Sequence, residues 1–401
     1  MLKRTFKAFQ YHDFRRLWLG ACTSSIGTWM QKLAQSWLVL ELSNSPFLLG
    51  LDAFLGELPV VLFSLLGGVA ADRMDRRRLL LISQFIQMTA AFLLAGLIAA
   101  GLVRIWHILT LSFVVGLAQA FGGPAYMALL PSLVRSEDLS NAIALNSIQF
   151  NLARVIGPML GGLALTRLGA PWCFALNGLS FLAVIASLLA IHVRFVPRGG
   201  RDPFLTSLGE GLRFVRRRPA MPELIGLAFA VTMLGLPLVV FLPVFARDVF
   251  RRGASAYTLL LLVHGGGSIA GALLVAALGR RARKGKLALA ALLGLGAATA
   301  GFALSGSLPL SCLVLFLAGA ALMAVFSLAS TLVQEITSDA MRGRVMSVYN
   351  VAFRGGMPVG SLLTGALAPR FGAPPVLAVN GLLIVALAAY FLLLRRRLSA
   401  L

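Results

Sequence analysis

The sequence predicts an all-α, polytopic membrane protein: twelve transmembrane helices in two six-helix halves, with both termini cytoplasmic. Three observations lead there. First, the 401 residues are 59% hydrophobic and fall into twelve apolar segments, near 17–42, 47–71, 79–101, 105–133, 141–166, 171–193, 221–246, 256–279, 287–305, 309–334, 343–368 and 374–394. A bilayer takes roughly 20 helical residues to cross, at about 1.5 Å each. Backbone facing lipid must satisfy its own hydrogen bonds, so such segments are helices. Second, of 36 Lys and Arg, 27 lie in one set of alternate connections and 6 in the opposite set, with Lys32, Arg154 and Arg354 inside spans. That asymmetry puts both termini and the long middle connection in the cytoplasm. The net charge of +22 therefore reports topology rather than nucleic-acid binding. Third, Arg167-Leu168-Gly169-Ala170-Pro171, leading to Leu176-Asn177-Gly178-Leu179, recurs as Arg370-Phe371-Gly372-Ala373-Pro374, leading to Val379-Asn380-Gly381-Leu382. The offset of 203 residues also places Gly157 and Gly162 on Gly360 and Gly365. A tandem repeat of this kind is the organisation of transporters that rock two halves about a central site.

Span 1 carries Ser25, Thr28, Lys32 and Gln35 at spacings of 3, 4 and 3, which makes one helix face polar, with Gln31 on its flank. Span 2 holds Asp52 towards its outer end and Glu57 deeper. The two spans are antiparallel about a turn near residues 44 and 45, and Lys32 and Glu57 are each about 12 residues from it. They therefore lie at one depth and can pair, either as a permanent ion pair or as a pair exchanged for a proton or substrate. The short turn Asp72-Arg73-Met74-Asp75-Arg76-Arg77-Arg78 leads to span 3 and is the densest charge cluster of the chain. Span 4 follows, then span 5 with Arg154 and Gly157-Pro158-Met159-Leu160-Gly161-Gly162. Arginine keeps its charge at any relevant pH, so Arg154, and Arg354 in span 11, do not carry protons. They clamp helices, hold carboxylates or receive an anionic substrate. Span 6 closes the first half, residues 1–193.

Residues 194–220 break the rhythm. Pro197, Gly199, Gly200 and Pro203 open a polar link, after which Phe204, Leu208, Leu212 and Val215 fall at helical spacing opposite Arg213 and Arg216. The stretch reads as a short amphipathic helix on the cytoplasmic surface or as a plain linker. The second half, 221–401, holds spans 7 to 12. Span 8 carries His264, an imidazole able to titrate near neutrality, beside Gly265-Gly266-Gly267, which lets helices approach closely. Glu335, at the inner end of span 10, is a candidate cytoplasmic gate.

Cys22, Cys173 and Cys312 sit in different spans and read as small apolar packers. The four histidines are scattered, so no metal site is indicated. Gly279 to Lys286 has five residues between its glycines rather than four, and Leu287 stands where a phosphate loop needs Ser or Thr. Without a nucleophile–base constellation, an enzyme is not expected, nor is a cofactor. The charged start runs directly into a full span, unlike a cleavable signal peptide. Leu19-Gly20-Ala21-Cys22 lacks the preceding apolar stretch of a lipoprotein site.

Gly68-Val69-Ala70-Ala71-Asp72-Arg73-Met74-Asp75-Arg76-Arg77 resembles the loop motif between helices 2 and 3 of the major facilitator superfamily, with Asp75 where many members have glycine. Gly157 to Gly162 is similar to the core of that superfamily's antiporter motif, with Ala144 and Ala153 at the upstream glycine positions. Three stretches look like its bacterial exporter branch, which includes the enterobactin exporter, macrolide efflux proteins and transmembrane secretion effectors: Trp29-Met30-Gln31-Lys32 through Pro46, Phe121-Gly122-Gly123-Pro124-Ala125, and Arg342-Gly343-Arg344-Val345-Met346-Ser347. The chain departs at Ser112, where drug antiporters often carry arginine. The loop Gly279-Arg280-Arg281-Ala282-Arg283-Lys284 also lacks the motif's aspartate.

The resemblance implies the major facilitator fold and a conformational latch of Gly68, Asp72, Arg73, Arg76 and Arg77 with Arg342 and Arg344. Asp72 would meet the positive N-terminus of span 11 when the cytoplasmic side is closed. The expected function is secondary active export of a small amphipathic or anionic compound, drug or siderophore-like, across the bacterial cytoplasmic (inner) membrane. Inward proton flow drives it. Candidate substrate or proton pathway residues are Gln31, Lys32, Gln35, Asp52, Glu57, Arg154, His264 and Arg354. Import or uniport of a nutrient by the same fold is one alternative, and a non-transporting sensor or assembly subunit is another. Expected partners are the small-molecule substrate, protons and the lipid bilayer, with no nucleic acid and a monomeric chain.

Overall fold

A computed structural model describes residues 6–191, 204–278, 283–393 and 398. Pro197, Gly199, Gly200, Pro203, His192 and the loop 279–282 lie outside the described residues, as do the side chains of Phe204 and Leu208. Among the described residues the regular elements are all helical. The first six long helices are α1 (His12–Ser43), α2 (Pro46–Arg73), α3 (Arg76–Ala99), α4 (Ile105–Leu129), α5 (Leu139–Arg167) and α6 (Ala170–Ala190). A shorter helix α7 (Phe204–Arg217) precedes α8 (Ala220–Gly235), α9 (Ala254–Ala277), α10 (Lys284–Leu304), α11 (Leu308–Ile336), α12 (Asp339–Phe371) and α13 (Ala373–Leu393). Among the described residues, ten helices are long and apolar enough to cross a membrane: α2 to α6, α8 with the turns after it, α9, α10, α11 and α13.

The chain forms two compact units, Met1–Ser43 with Leu55–Arg201, and Asn44–Phe54 with Asp202–Leu401. In the first unit α1 packs on α5 and α6, and α3 packs on α4 and α6. Lipid tails are as apolar as leucine, so close backbone approach at small residues takes the place of hydrophobic burial. A Cβ on Gly161 would stand 3.0 Å from the Met30 backbone, and one on Gly157 would overlap the Trp29 side chain. Gly157, Pro158, Gly161 and Gly162 are all buried. Gly20 and Gly27 of α1 likewise leave room for α6.

The basic turn ties helix ends together inside this unit. Arg76 donates to the Ala71 carbonyl at 3.1 Å and the Ala128 carbonyl at 3.0 Å. Arg77 donates to the Leu188 and Leu189 carbonyls at 2.6 and 2.8 Å, satisfying the otherwise orphaned C-terminal end of α6. Asp75 is the N-cap of α3 and accepts from the Arg77 and Arg78 amides. The N-terminal segment is anchored through buried Asp138, which pairs with Lys7 at 2.8 Å and accepts from Tyr11 at 2.8 Å and Gln10 at 3.1 Å. The hydrogen bond to Asp138 holds the Lys7 ammonium above its ordinary range.

In the second unit α9 packs on α11, α10 on α11 and α13, and α12 on α8. A Cβ on Gly267 would overlap the Phe316 carbonyl, and one on Gly319 the His264 carbonyl. Gly360 meets the Met233 backbone of α8 as Gly157, its counterpart in the repeat, meets α1. The repeat extends to the backbone. Gly169 and Gly372 start the last helix of each unit with φ of 90° and 84°, a left-handed conformation that favours glycine. Span 7 is not the single helix its apolar run suggests. It ends at Gly235 and continues as short turns over Pro237–Val240 and Leu242–Val244, then a π-helical turn over Phe245–Val249. Pro237 and Pro243 have no amide hydrogen to carry a continuous ladder.

Candidate functional site

The polar face of α1 gathers a connected set of groups within the first unit. Lys32 Nζ lies 3.7 Å from Glu57 Oε1 of α2, with the lysine side chain 58% exposed and the carboxylate 27%. The pair is therefore not sealed in packing. Lys32 Nζ also sits 5.3 Å from the centroid of the Trp29 ring, and the Arg154 guanidinium 5.7 Å from the same ring. Both distances fall within cation–π range. Phe150 meets Trp29 edge-on at 6.1 Å. The arrangement follows from helix packing: Gly157, on α5, lets that helix reach the Trp29 Cβ and so brings Arg154 one turn away to the indole.

The rest of the face is held by amides and hydroxyls. Asn177 of α6 donates to Gln31 Oε1 at 2.6 Å, and its own Oδ1 accepts from Ser180 at 3.1 Å. Gln35 donates to Ser112 Oγ at 2.9 Å, so the position where drug antiporters often carry arginine serves here as a neutral anchor for α1. Gln149 donates to the Ala21 carbonyl at 3.0 Å and to Ser25 Oγ at 2.8 Å. These contacts fix the rotation of α1 and thereby aim Lys32 and Trp29.

The remaining candidates belong to both units of the chain. Asp52 is buried in the part of α2 that clusters with the second unit. His264 is buried in α9, its carbonyl accepting from Ser268 at 3.0 Å. Arg354 is exposed on α12. Glu335 pairs with Lys284 at the start of α10. Gly68 is half-buried near the end of α2, and Asp72 and Arg73 are exposed there. Arg344 pairs with Glu210 of α7 at 2.8 Å, and Arg342 beside it is exposed. Trp29, Asn177 and Gln149 are functional candidates that residue type alone did not single out. Asn177 carried a signal, since the repeat pairs it with Asn380, which donates to Thr364 Oγ1 at 3.2 Å.

All-helical units of span-length helices, one of them with a charged and polar face on α1, define a multi-span membrane protein. The chain belongs to the transmembrane secretion effector family of the major facilitator superfamily, whose pattern matches residues 3–400. It is 24% identical over 385 residues to macrolide efflux protein A of Streptococcus pyogenes, covering 94% of both chains. It is 29% identical over 399 residues to the enterobactin exporter EntS of Shigella boydii serotype 4, covering 96% of this chain and 92% of the relative. Its fold is that of a solved bacterial homologue of the human lysosomal transporter Spinster, with a TM-score of 0.76 at 17% identity over 96% of both chains.

Proposed function

We propose that the protein exports a small amphipathic or anionic compound, drug or siderophore-like, across the bacterial cytoplasmic membrane by proton-coupled alternating access. The observation that carries this reading is the open Lys32–Glu57 pair beside Arg154 on Trp29. A charge in a span is costly against lipid, so an exposed one faces a watery cavity. Glu57 is the proton carrier, and Lys32 and Arg154 attract the anionic portion of the substrate. Asp52, His264 and Arg354 extend the pathway.

The reading includes twelve spans. Besides the ten apolar helices, α1 and α12 cross as well, being 32 and 33 residues long and carrying the polar and charged positions that a transport path needs. Both termini are cytoplasmic, the halves are 1–193 and 221–401, residues 194–220 link them, and the monomer is the working unit. Efflux by the two relatives supports the direction of transport. Inside-out vesicles with an acidic interior test the function: they accumulate a member of a siderophore or hydrophobic-drug panel, whereas uptake only into right-side-out vesicles means import.

The latch belongs to the same proposal. Asp72 at the inner end of α2 meets the N-terminus of α12, with Arg342, when the cytoplasmic side closes, while Arg73, Arg76, Arg77 and Gly68 shape the turn that presents it. Glu335 with Lys284 gates the same side. Asp72→Asn then shifts the population toward inward-open. Cysteine cross-linking across the cytoplasmic ends falls in this variant; unchanged cross-linking removes the latch.

A further inference from the structure

Helix α7 ends in a cluster of guanidinium groups. Arg213, Arg216 and Arg217 lie in the helix, Arg218 follows it, and all four are exposed. The opposite side of α7 is fixed to α12. Gly211 and Val215 are buried, and a Cβ on Gly211 would stand 2.7 Å from the Arg344 carbonyl. Glu210, the sole carboxylate of Phe204–Arg217, pairs with Arg344. At about 100° per residue, Leu212, Arg216, Arg213 and Arg217 follow one another around the outward face. Leu212, at its margin, is 42% exposed.

The chain then enters α8 at Ala220, two residues beyond Arg218, and α8 begins a membrane-span candidate. With α8 crossing the bilayer, the guanidinium groups a few residues before it would stand beside the lipid headgroups. Arginine binds phosphate through paired N–H donors, and a basic helix face edged by leucine suits an anionic membrane surface. We propose that α7 docks on the headgroups of anionic phospholipids through Arg213, Arg216 and Arg217, with Leu212 entering the headgroup–acyl boundary. Through Gly211 and the Glu210–Arg344 pair, the docked helix steadies the first turns of α12. The cytoplasmic placement of this surface rests on the orientation proposed above; the docking itself does not require transport.

The test uses the full chain in vesicles, where both leaflets share one composition, so neither orientation nor transport affects the outcome. An environment-sensitive fluorophore is placed at Leu212→Cys, with Cys22→Ser and Cys312→Ser; Cys173 is buried. Phosphatidylglycerol in phosphatidylcholine vesicles is expected to blue-shift the emission and to permit quenching by a headgroup-depth nitroxide lipid. Molar salt, which cuts the screening length to about 3 Å, reverses the shift. The triple variant Arg213→Gln, Arg216→Gln, Arg217→Gln weakens the docking on the order of a hundredfold and shows no shift at the phosphatidylglycerol fraction that half-saturates the wild type. The triple lysine variant keeps most of the response, which separates lost charge from lost fold. Amide exchange over residues 341–348 slows with phosphatidylglycerol in the wild type and not in Glu210→Gln. Equal spectra with and without phosphatidylglycerol, an unaltered response in the triple glutamine variant, or the same shift from inorganic phosphate alone would overturn the docking. Equal exchange in Glu210→Gln and wild type would overturn the link to α12.

Discussion

Glu57→Gln is expected to reduce pH-gradient-driven accumulation by roughly tenfold or more, equivalent to about 1.4 kcal/mol or more of barrier. Glutamine keeps the shape and a hydrogen bond for Lys32 but neither binds nor releases a proton. Substrate exchange between two equilibrated compartments, which needs no net proton movement, persists in the variant. The comparison separates a coupling residue from a packing residue. Glu57→Gln also leaves the Lys32 ammonium without its counter-charge, so Lys32→Gln combined with Glu57→Gln serves as the second variant. In the double variant coupling does not recover. Recovery of gradient-driven transport in the double variant would make the pair a structural one.

Gly360→Leu is expected to destabilise the second unit by about 1–3 kcal/mol, visible as a lower unfolding temperature in detergent. A Cβ at Gly360 would overlap the Met233 carbonyl, and backbone on α8 cannot turn aside as a side chain can. Gly294→Leu is the control, because nothing lies within 4 Å of a Cβ there. The same chemical change at these two positions therefore has unequal consequences. Equal unfolding temperatures for the two variants would show that α12 and α8 do not need their close approach.

Most of the helical architecture was legible because lipid leaves so few options. Apolar runs of span length must satisfy their backbone internally, and the polar breaks between them have nowhere to hide. The 203-residue repeat was equally open to reading, and its turn glycines, Gly169 and Gly372, share a left-handed backbone that explains why both copies carry glycine. The meeting of Lys32 and Glu57 came from counting residues on either side of one turn, since two antiparallel helices rise at the same rate.

Other parts depend on helix rotation and neighbours, which periodicity does not determine. Trp29 looks like apolar bulk until Gly157 lets α5 bring Arg154 to its ring. Gln31 meets Asn177 across 146 residues of chain, through the way α1 turns against α6. Arg344 finds Glu210 on a helix whose docking side shows no charge pattern of its own. Asp75, a departure from the superfamily motif in sequence, makes local sense as a helix cap. The break in span 7 was marked by Pro237 and Pro243, but prolines inside spans often only kink, so the π-helical turn at Phe245–Val249 was not legible beforehand.

The most direct test of proton-coupled export is substrate-driven proton movement in sealed proteoliposomes. A pH dye is trapped inside, no pH gradient is imposed, and the compound accumulated by inside-out vesicles is added outside. The expected result is a proton flux opposite in direction to the substrate, abolished by Glu57→Gln and collapsed by a protonophore. Substrate entry with no change in internal pH would contradict the account, leaving a transporter that moves its substrate without protons.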